Sequence, residues 1–315
     1  MSYLITGGTG FVGSYVAAEL LKQNQEVIAY DYMTSNVMQN VLSPEQIGRI
    51  SIYNGSITDL GRICNIIKTH KVKKIIHLAT LLHPYSNEHP DEAVQVNIVG
   101  QSTVLEAMRL MDVEKLVWAS SCVVYGNQSS HVHKIMPNDE QHAPVSMYGA
   151  TKSFIEFMTN HYTAKWNLDT LGLRFTLVYG PGRVRGATAF INALTEPALG
   201  KKAVVPFGDD VVDWQYVEDI AALCAKCSQT GPTKTKIFNT RFDVRSIREA
   251  GDFVKTLIPE AQIEYQPGIF GLAWQLDDAL LQQEIGFTPK VRMEEGLMRL
   301  INYIRRINNL PEYKA

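Results

Sequence analysis

The sequence predicts an α/β protein in which a doubly wound parallel sheet is followed by a smaller C-terminal lobe. Three observations predict it. Five short apolar runs alternate with helix-length segments between Tyr3 and Ser120, the pattern of strand and crossover helix. A glycine-rich turn, Gly7 to Gly13, joins the first run to the first helical segment, as the tight strand-to-helix links of such sheets require. Past Pro181 the alternation gives way to loops and short segments, so residues 1–180 are expected to form the core and residues 181–315 mainly the lobe, with some segments returning to the sheet.

Taken in order, Tyr3-Leu4-Ile5 reads as a buried strand and Ser14 to Lys22 as the helix that the glycine turn opens. Glu26 to Tyr30 is a second strand, and it ends on Asp31, eighteen residues past Gly13. A polar loop is expected next, then a strand over 49–55, a helix near Leu60 to Thr69 and a strand from Lys74 to Ala79. Pro90 precedes a long helix, Asp91 to Met111, with Val94, Ile98, Val104, Leu105 and Met108 at helix-like spacing. Lys115 to Ser120 is the fifth strand, Tyr148 to Trp166 a helix, and Asp169 to Leu177 a further strand. Alternation of this kind means a parallel sheet covered on both faces, with ligands at its carboxyl edge.

Composition narrows the functional classes. Net charge is −2 and there is no long basic run, so no nucleic-acid surface is expected. No apolar run approaches the span of a bilayer, and the first strand begins at Tyr3, which leaves no room for a leader; a cytoplasmic location is expected. Cys64, Cys122, Cys224 and Cys227 do not read as a disulfide framework in a chain of 315 residues. Cys224 and Cys227 match the spacing of a metal or redox pair, but they fall late in a helix starting near Val217 and lack two further ligands, so they read as ordinary helix cysteines. His131-Val132-His133 likewise has no carboxylate cluster at ligand spacing, and no metal is expected.

The glycine turn reads as a phosphate cradle. Its backbone can come within contact distance of a pyrophosphate, and the N–H groups at the following helix N-terminus face the negative charge. Asp31 then sits where a carboxylate accepts hydrogen bonds from the adenosine ribose hydroxyls. A 2′-phosphate would be repelled there, and no Lys or Arg lies between Asp31 and Gly48, so NAD is expected over NADP. Tyr148 and Lys152 lie four residues apart on one helix face. A phenol titrates near 10 when unperturbed, and a neighbouring ammonium is expected to lower that value, fitting Tyr148 to exchange a proton with a hydroxyl or carbonyl. Ser121, at the end of the fifth strand, is expected to orient the same oxygen.

With these motifs in place, the chain resembles the extended short-chain dehydrogenase/reductases, the group containing nucleotide-sugar epimerases and dehydratases. The resemblance rests on T-G-G-T-G-F-V-G at 6–13, Asp31, H-L-A at 77–79, V-N-I-V-G at 96–100, S-S-C-V-V-Y-G at 120–126, Y-G-A-T-K at 148–152, L-R-F at 173–175, V-Y-G-P-G at 178–182, Y-V-E-D at 216–219, and G-F-T-P with E-E-G-L at 286–297. It implies a Rossmann-type core with a C-terminal substrate-binding lobe. It implies NAD contacts at Gly7, Gly10, Phe11, Val12, Gly13, Asp31, Ser56, Ile57, Leu78, Ala79, Thr80, Asn97 and Phe175, with Tyr148 as general acid/base and Lys152 also holding the nicotinamide ribose. Substrate contacts are expected at Leu81, His83, Cys122, Arg183, Arg185 and Trp214, and a homodimer through the helices near 91–111 and 148–166.

Four departures from the nucleotide-sugar pattern qualify the resemblance. Val212 stands where an arginine pairs with the diphosphate, and the second such arginine is missing from Gln266 to Phe270. Phe175-Thr176-Leu177 lacks the asparagine that contacts the nucleotide, and Gly55-Ser56-Ile57 lacks the acid that contacts adenine. A diphosphate without its arginines would be desolvated at a cost of several kcal/mol. The expectation is therefore an NAD-dependent dehydrogenase or reductase acting on a secondary alcohol or ketone carbon of a small polar, sugar-like substrate. The alternative is a nucleotide-sugar epimerase or dehydratase whose diphosphate is held by Arg183, Arg185, Arg241 or Arg245.

Overall fold

Ser2–Thr6 (β1) is apolar on both faces and buried throughout, as a strand covered by helices on both sides must be. The computed structural model describes residues 1–314. After β1 come Phe11–Lys22 (α1), Glu26–Asp31 (β2), Val37–Val41 (α2), Pro44–Gly48 (α3), Ile50–Asn54 (β3), Leu60–His70 (α4) and Lys74–His77 (β4). The next elements are Tyr85–Glu88 (α5), Pro90–Ala93 (α6), Gly100–Leu110 (α7), Lys115–Ser121 (β5), Met147–Trp166 (α8), Thr170–Phe175 (β6) and Leu177–Tyr179 (β7). The second half supplies Ala203–Val205 (β8), Val211–Tyr216 (β9), Val217–Gln229 (α9), Ile237–Asn239 (β10), Asp243–Ser246 (β11) and Ile247–Leu257 (α10). It ends with Ile263–Tyr265 (β12), Ala279–Glu284 (α11) and Met293–Ile307 (α12).

Seven strands form one parallel sheet in the order β10-β6-β5-β4-β1-β2-β3. The order turns at β1 and β4, the switch point at which such sheets open a crevice beyond their carboxyl ends. One face is covered by α1 and α9, whose Val16, Leu20, Ile220 and Leu223 are fully buried against Ile5, Val117 and Leu171 of the sheet. The other is covered by α4, α7 and α8 through Ile63, Ile67, Val104, Leu105 and Ile155. At roughly 1.5–3 kcal/mol for each large apolar side chain removed from water, these two layers hold the sheet together. His77 ties β4 to β1 by a 2.6 Å bond between its Nδ1 and Thr6 Oγ1, and burial pushes its pKa down to about 3, so the ring is neutral.

The lobe has its own core, built on Leu177, Tyr179, Trp214, Tyr216, Ile247 and Leu297, together with a mixed sheet in the order β11-β9-β7 and the pair β12-β8. Three features differ from the sequence expectation. The segment after Asp31 is not all loop: Ser43 caps α3 by a reciprocal box with Gln46, and Pro44 supplies the pre-set φ of a first helical position. The long helix after Pro90 is interrupted by a π-helical stretch, Val94–Val99, which turns Asn97 inward and leaves Val94 exposed despite its apolar spacing. The strand expected over 169–177 breaks at Thr176, whose Oγ1 bonds Asp213, so that β6 stays in the large sheet while β7 pairs with β9. No helix among the described residues is long and apolar enough to cross a membrane.

Candidate active site

A cleft of about 1290 Å³ runs along the carboxyl edge of the sheet. At one end lies the turn between β1 and α1. A Cβ on Gly13 would stand 2.1 Å from the Gly7 carbonyl oxygen, and one on Gly7 would stand 2.8 Å from the Ala79 amide nitrogen, so neither position admits a side chain. Gly7 also takes a φ of +67°, which only glycine adopts freely. No side chain caps the N-terminus of α1, and no acid lies in its first turn. Its free N–H groups are therefore available to an anion. Asp31, at the end of β2, accepts from the Thr9 amide at 3.1 Å, from Thr9 Oγ1 at 2.8 Å and from the Tyr32 amide at 2.9 Å, which fixes its carboxylate at the cleft wall. The donor set and the space fit a dinucleotide.

The middle of the cleft is floored by β5 and α8. Ser146 caps α8, its Oγ accepting from the Gly149 amide at 3.1 Å, and this sets the helix start that presents Tyr148. Tyr148 and Ser121 both line the cleft. Burial pushes the Tyr148 phenol well above its ordinary range, while the Arg183 charge and the Ser121 hydroxyl pull it back down. This corrects the expectation that a cation beside it gives a low-pKa phenol: desolvation outweighs the charges. Lys152 is buried one turn along, its Nζ donating to the Ala119 carbonyl at 2.7 Å and lying 5.5 Å from the Tyr148 ring centroid. Burial lowers its pKa to about 7, against the opposing pull of Glu156. Among the charges around Tyr148, Arg183 rather than Lys152 is the cation that pulls the phenol down.

Below them is a buried ion pair that the sequence reading did not single out. Arg174 on β6 donates to both Glu156 oxygens, Nε at 2.9 Å and Nη2 at 2.7 Å, and Ser120 Oγ donates to the same carboxylate at 2.5 Å. Glu156 follows Lys152 by four residues, a spacing that could have flagged it.

Of the cofactor residues expected from sequence, Gly7, Gly10, Phe11, Val12, Gly13, Asp31, Ser56, Ile57, Leu78, Ala79, Thr80 and Phe175 line this cleft, as do Leu81, His83, Cys122, Arg183 and Arg185 from the substrate set. Three stand elsewhere. Asn97 lies behind the wall, accepting from Thr80 Oγ1 at 2.9 Å and the Leu81 amide at 2.7 Å and donating to Thr151 Oγ1 at 3.1 Å, so it orders the loop after β4. Lys152 is beneath Tyr148 rather than in the wall. Trp214 is fully buried in the lobe core, its indole N–H donating to the Arg245 carbonyl at 3.2 Å, and is no substrate contact. β9 is the central strand of its sheet and is buried from Val212 to Tyr216, which places Trp214 in the lobe core. Phe270, Leu272 and Trp274 complete the wall from a loop that carried no motif. His131 and His133 both face Glu140, at 3.3 Å and 2.6 Å, away from these lining residues.

The family description "NAD dependent epimerase/dehydratase family" matches residues 3–240. The chain belongs to this family. Its cofactor is NAD, which the cradle fits. A UDP-glucuronate 4-epimerase of Thermodesulfobacterium geofontis is 30% identical over 319 residues, covering 96% of this chain and 95% of its own. Among solved structures, the UDP-glucose 4-epimerase of Thermotoga maritima with UDP-glucose superposes with a TM-score of 0.85 at 26% identity, covering 98% of this family member and all of the other chain. The L-threonine dehydrogenase of Clostridium difficile superposes with a TM-score of 0.83 at 25% identity, covering 97% of this chain and 98% of its own. The family fold thus accommodates both nucleotide-sugar epimerases and a dehydrogenase of a small substrate.

Proposed function

We propose that the protein is an NAD-dependent dehydrogenase or reductase of a small polar substrate, acting at a secondary alcohol or ketone carbon. The observation that carries this reading is the character of the substrate end of the cleft. Its cations are Arg183 and Arg185, from one loop, with the His83 imidazole nearby; the lobe side offers Phe270, Leu272 and Trp274. Phe270 packs with Phe207 at 5.1 Å, Phe190 at 6.5 Å and Trp274 at 5.7 Å between ring centroids, so the lobe side of the cleft is an aromatic wall that offers no charge to a diphosphate. Val212 is buried, and Arg245 is engaged with Asp243, Glu249 and Glu294. Neither Arg241 nor Arg245 lines the cleft.

In this reading the cofactor, when bound, would accept the hydride as NAD in oxidation and give it as NADH in reduction. Ser121 holds the substrate oxygen. Tyr148, whose phenol is held protonated by burial, gives its proton to a carbonyl oxygen in reduction and must be deprotonated to take one from an alcohol in oxidation. Lys152 and the Glu156–Arg174 pair fix the helix face on which Tyr148 stands. The exposed Phe154 and Phe157 of α8 support a homodimer through this helix.

A nucleotide-sugar 4-epimerase is the second reading, favoured by the 30% identity to a UDP-glucuronate 4-epimerase. Calorimetric titration of the NAD-loaded protein with UDP, dTDP, GDP and CDP separates the two. No binding is expected. Tight binding of one would replace the dehydrogenase with the epimerase.

A further inference from the structure

Arg183 is a buried-side cation without a counter-ion. Among the buried cations, Lys152 donates to the Ala119 carbonyl, whereas Arg174 and Lys115 are paired with acids, Glu156 at 2.7 Å and Asp169 at 2.9 Å. Arg183 has none among the described residues. Its Nη2 donates to Thr188 Oγ1 at 2.7 Å, its guanidinium carbon lies 5.6 Å from the Phe11 ring centroid, and its Nε, sealed from solvent, donates to nothing. Arg183 is half-buried in the cleft wall, and its sealed Nε, lacking an acceptor, is unfavourable unless something else supplies one.

A second unpartnered polar atom belongs to a residue of the same cleft. His83 Nδ1 is buried without a partner, and His83 lines the cleft. Its neighbour Leu82 meets Arg183 at Gly186: a Cβ there would stand 2.8 Å from Arg183 Nη2 and 3.0 Å from Leu82 Cδ1. The loops after β4 and β7 therefore converge on one point. The acids that line the cleft are spoken for elsewhere, since Asp31 is held by Thr9 and Tyr32, and Glu92 accepts from the Tyr85 hydroxyl at 3.0 Å. Arg183 and Tyr148 line the same cleft, so one substrate can meet both.

We propose that Arg183, with His83 beside it, docks a compact oxyanion, a carboxylate or phosphate, carried by the substrate itself, so that the alcohol or ketone meeting Tyr148 belongs to a small hydroxy or keto acid or a phosphorylated alcohol. This rests on the dehydrogenase reading above. The guanidinium fork matches either anion through two parallel hydrogen bonds.

The test is calorimetric titration of the NAD-loaded protein with malonate, inorganic phosphate and uncharged malonamide, for the wild type and for Arg183→Gln, Arg183→Lys and His83→Asn. Malonate or phosphate is expected to bind the wild type and malonamide not to; whichever anion binds names the source. Arg183→Gln is expected to weaken the anion by about tenfold to a hundredfold. Arg183→Lys and His83→Asn are expected to weaken it less, and NAD affinity to stay within about threefold, below the roughly 1.4 kcal/mol that a tenfold change represents. Absence of anion binding to the wild type, or equal binding to Arg183→Gln and Arg183→Lys and the wild type, would overturn the proposal. So would a loss of NAD affinity matching the loss of anion affinity, which would assign Arg183 to the cofactor's diphosphate. NADH production from uncharged polyols, with no anion binding, would sink the oxyanion site while leaving the dehydrogenase; tight UDP binding would sink the dehydrogenase.

Discussion

At the cradle end of the cleft the lining comes from strand-end turns, Gly7 to Gly13, Tyr30 to Val37 and Gly55 to Ile57, and at the glycine turn the recognition surface is backbone. At the substrate end they come from side chains on loops near 78–83, 121–123, 175–188 and 270–274, which are distant in sequence. The first end is specified by what must be absent, namely a Cβ or a cap on α1. The second is specified by which side chains meet, and between the two lies a floor of buried titratable groups, Tyr148, Lys152 and Glu156. The contrast teaches that cofactor and substrate are read by different means in one cavity, so substitutions at the two ends should have separable effects.

The largest effect belongs to the floor. Tyr148→Phe removes the hydroxyl while keeping the ring, and turnover is expected to fall by about a hundredfold to ten-thousandfold. NAD affinity, measured by calorimetry, should change little. A variant that kept turnover would move the proton transfer away from this residue.

The Lys152 ammonium gives the next largest effect, read as stability against pH. Its pKa is pushed down to about 7 by burial, whereas an unfolded chain holds the proton up to about 10.4. Between those values the unfolded state binds the extra proton, so this residue's contribution makes folding stability rise with pH and disfavours folding below the lower value. Lys152→Met should remove that slope. Chemical denaturation from pH 6 to 10 is expected to show the stability difference, wild type minus variant, growing by roughly 1–4 kcal/mol across the window. A flat difference would mean that Glu156 keeps the ammonium charged throughout.

The same contrast explains what could be read from the sequence. The cradle, the five leading strands, Asp31, Ser121 and the Tyr148/Lys152 pair all depend on local spacing, and spacing is visible in a string of letters. Asn97 was visible as a motif, but its place behind the wall follows from a π-helical stretch that re-phases the helix, which apolar spacing does not encode. Trp214 failed because its strand is central in the three-stranded sheet of the lobe and buried on both faces, which a motif position does not reveal. Arg183 was legible as a candidate anion ligand; its lack of a counter-ion was not, since that depends on every acid in the fold. The Phe190, Phe207, Phe270 and Trp274 cluster joins three loops and carried no local signal.

Gly13→Ala sharpens the backbone side of the comparison. The new Cβ would lie 2.1 Å from the Gly7 carbonyl oxygen, and backbone cannot step aside as a flexible side chain does. Thermal unfolding is expected to show a loss of about 1–3 kcal/mol, with NAD binding weakened as well because the turn must open. Stability unchanged with NAD affinity intact would show that the cradle has slack the geometry denies.

The smallest expected effect tests the carboxylate at the cradle end. Asp31→Asn keeps the size of the residue and leaves an amide oxygen to accept from Thr9, but it removes the charge that faces the ribose. NADH affinity is expected to fall by about tenfold, the scale of one charge-assisted hydrogen bond weakened to a neutral one. NADPH should gain, because the repulsion of its 2′-phosphate is gone, yet it should not overtake NADH: no Lys or Arg lies between Asp31 and Gly48 to hold that phosphate. Fluorescence titration of both cofactors against both proteins measures the change. If the wild type already bound NADPH more tightly than NADH, the carboxylate could not be the discriminating group, and the preference would have to lie in Tyr32 to Asn36, which line the same end of the cleft.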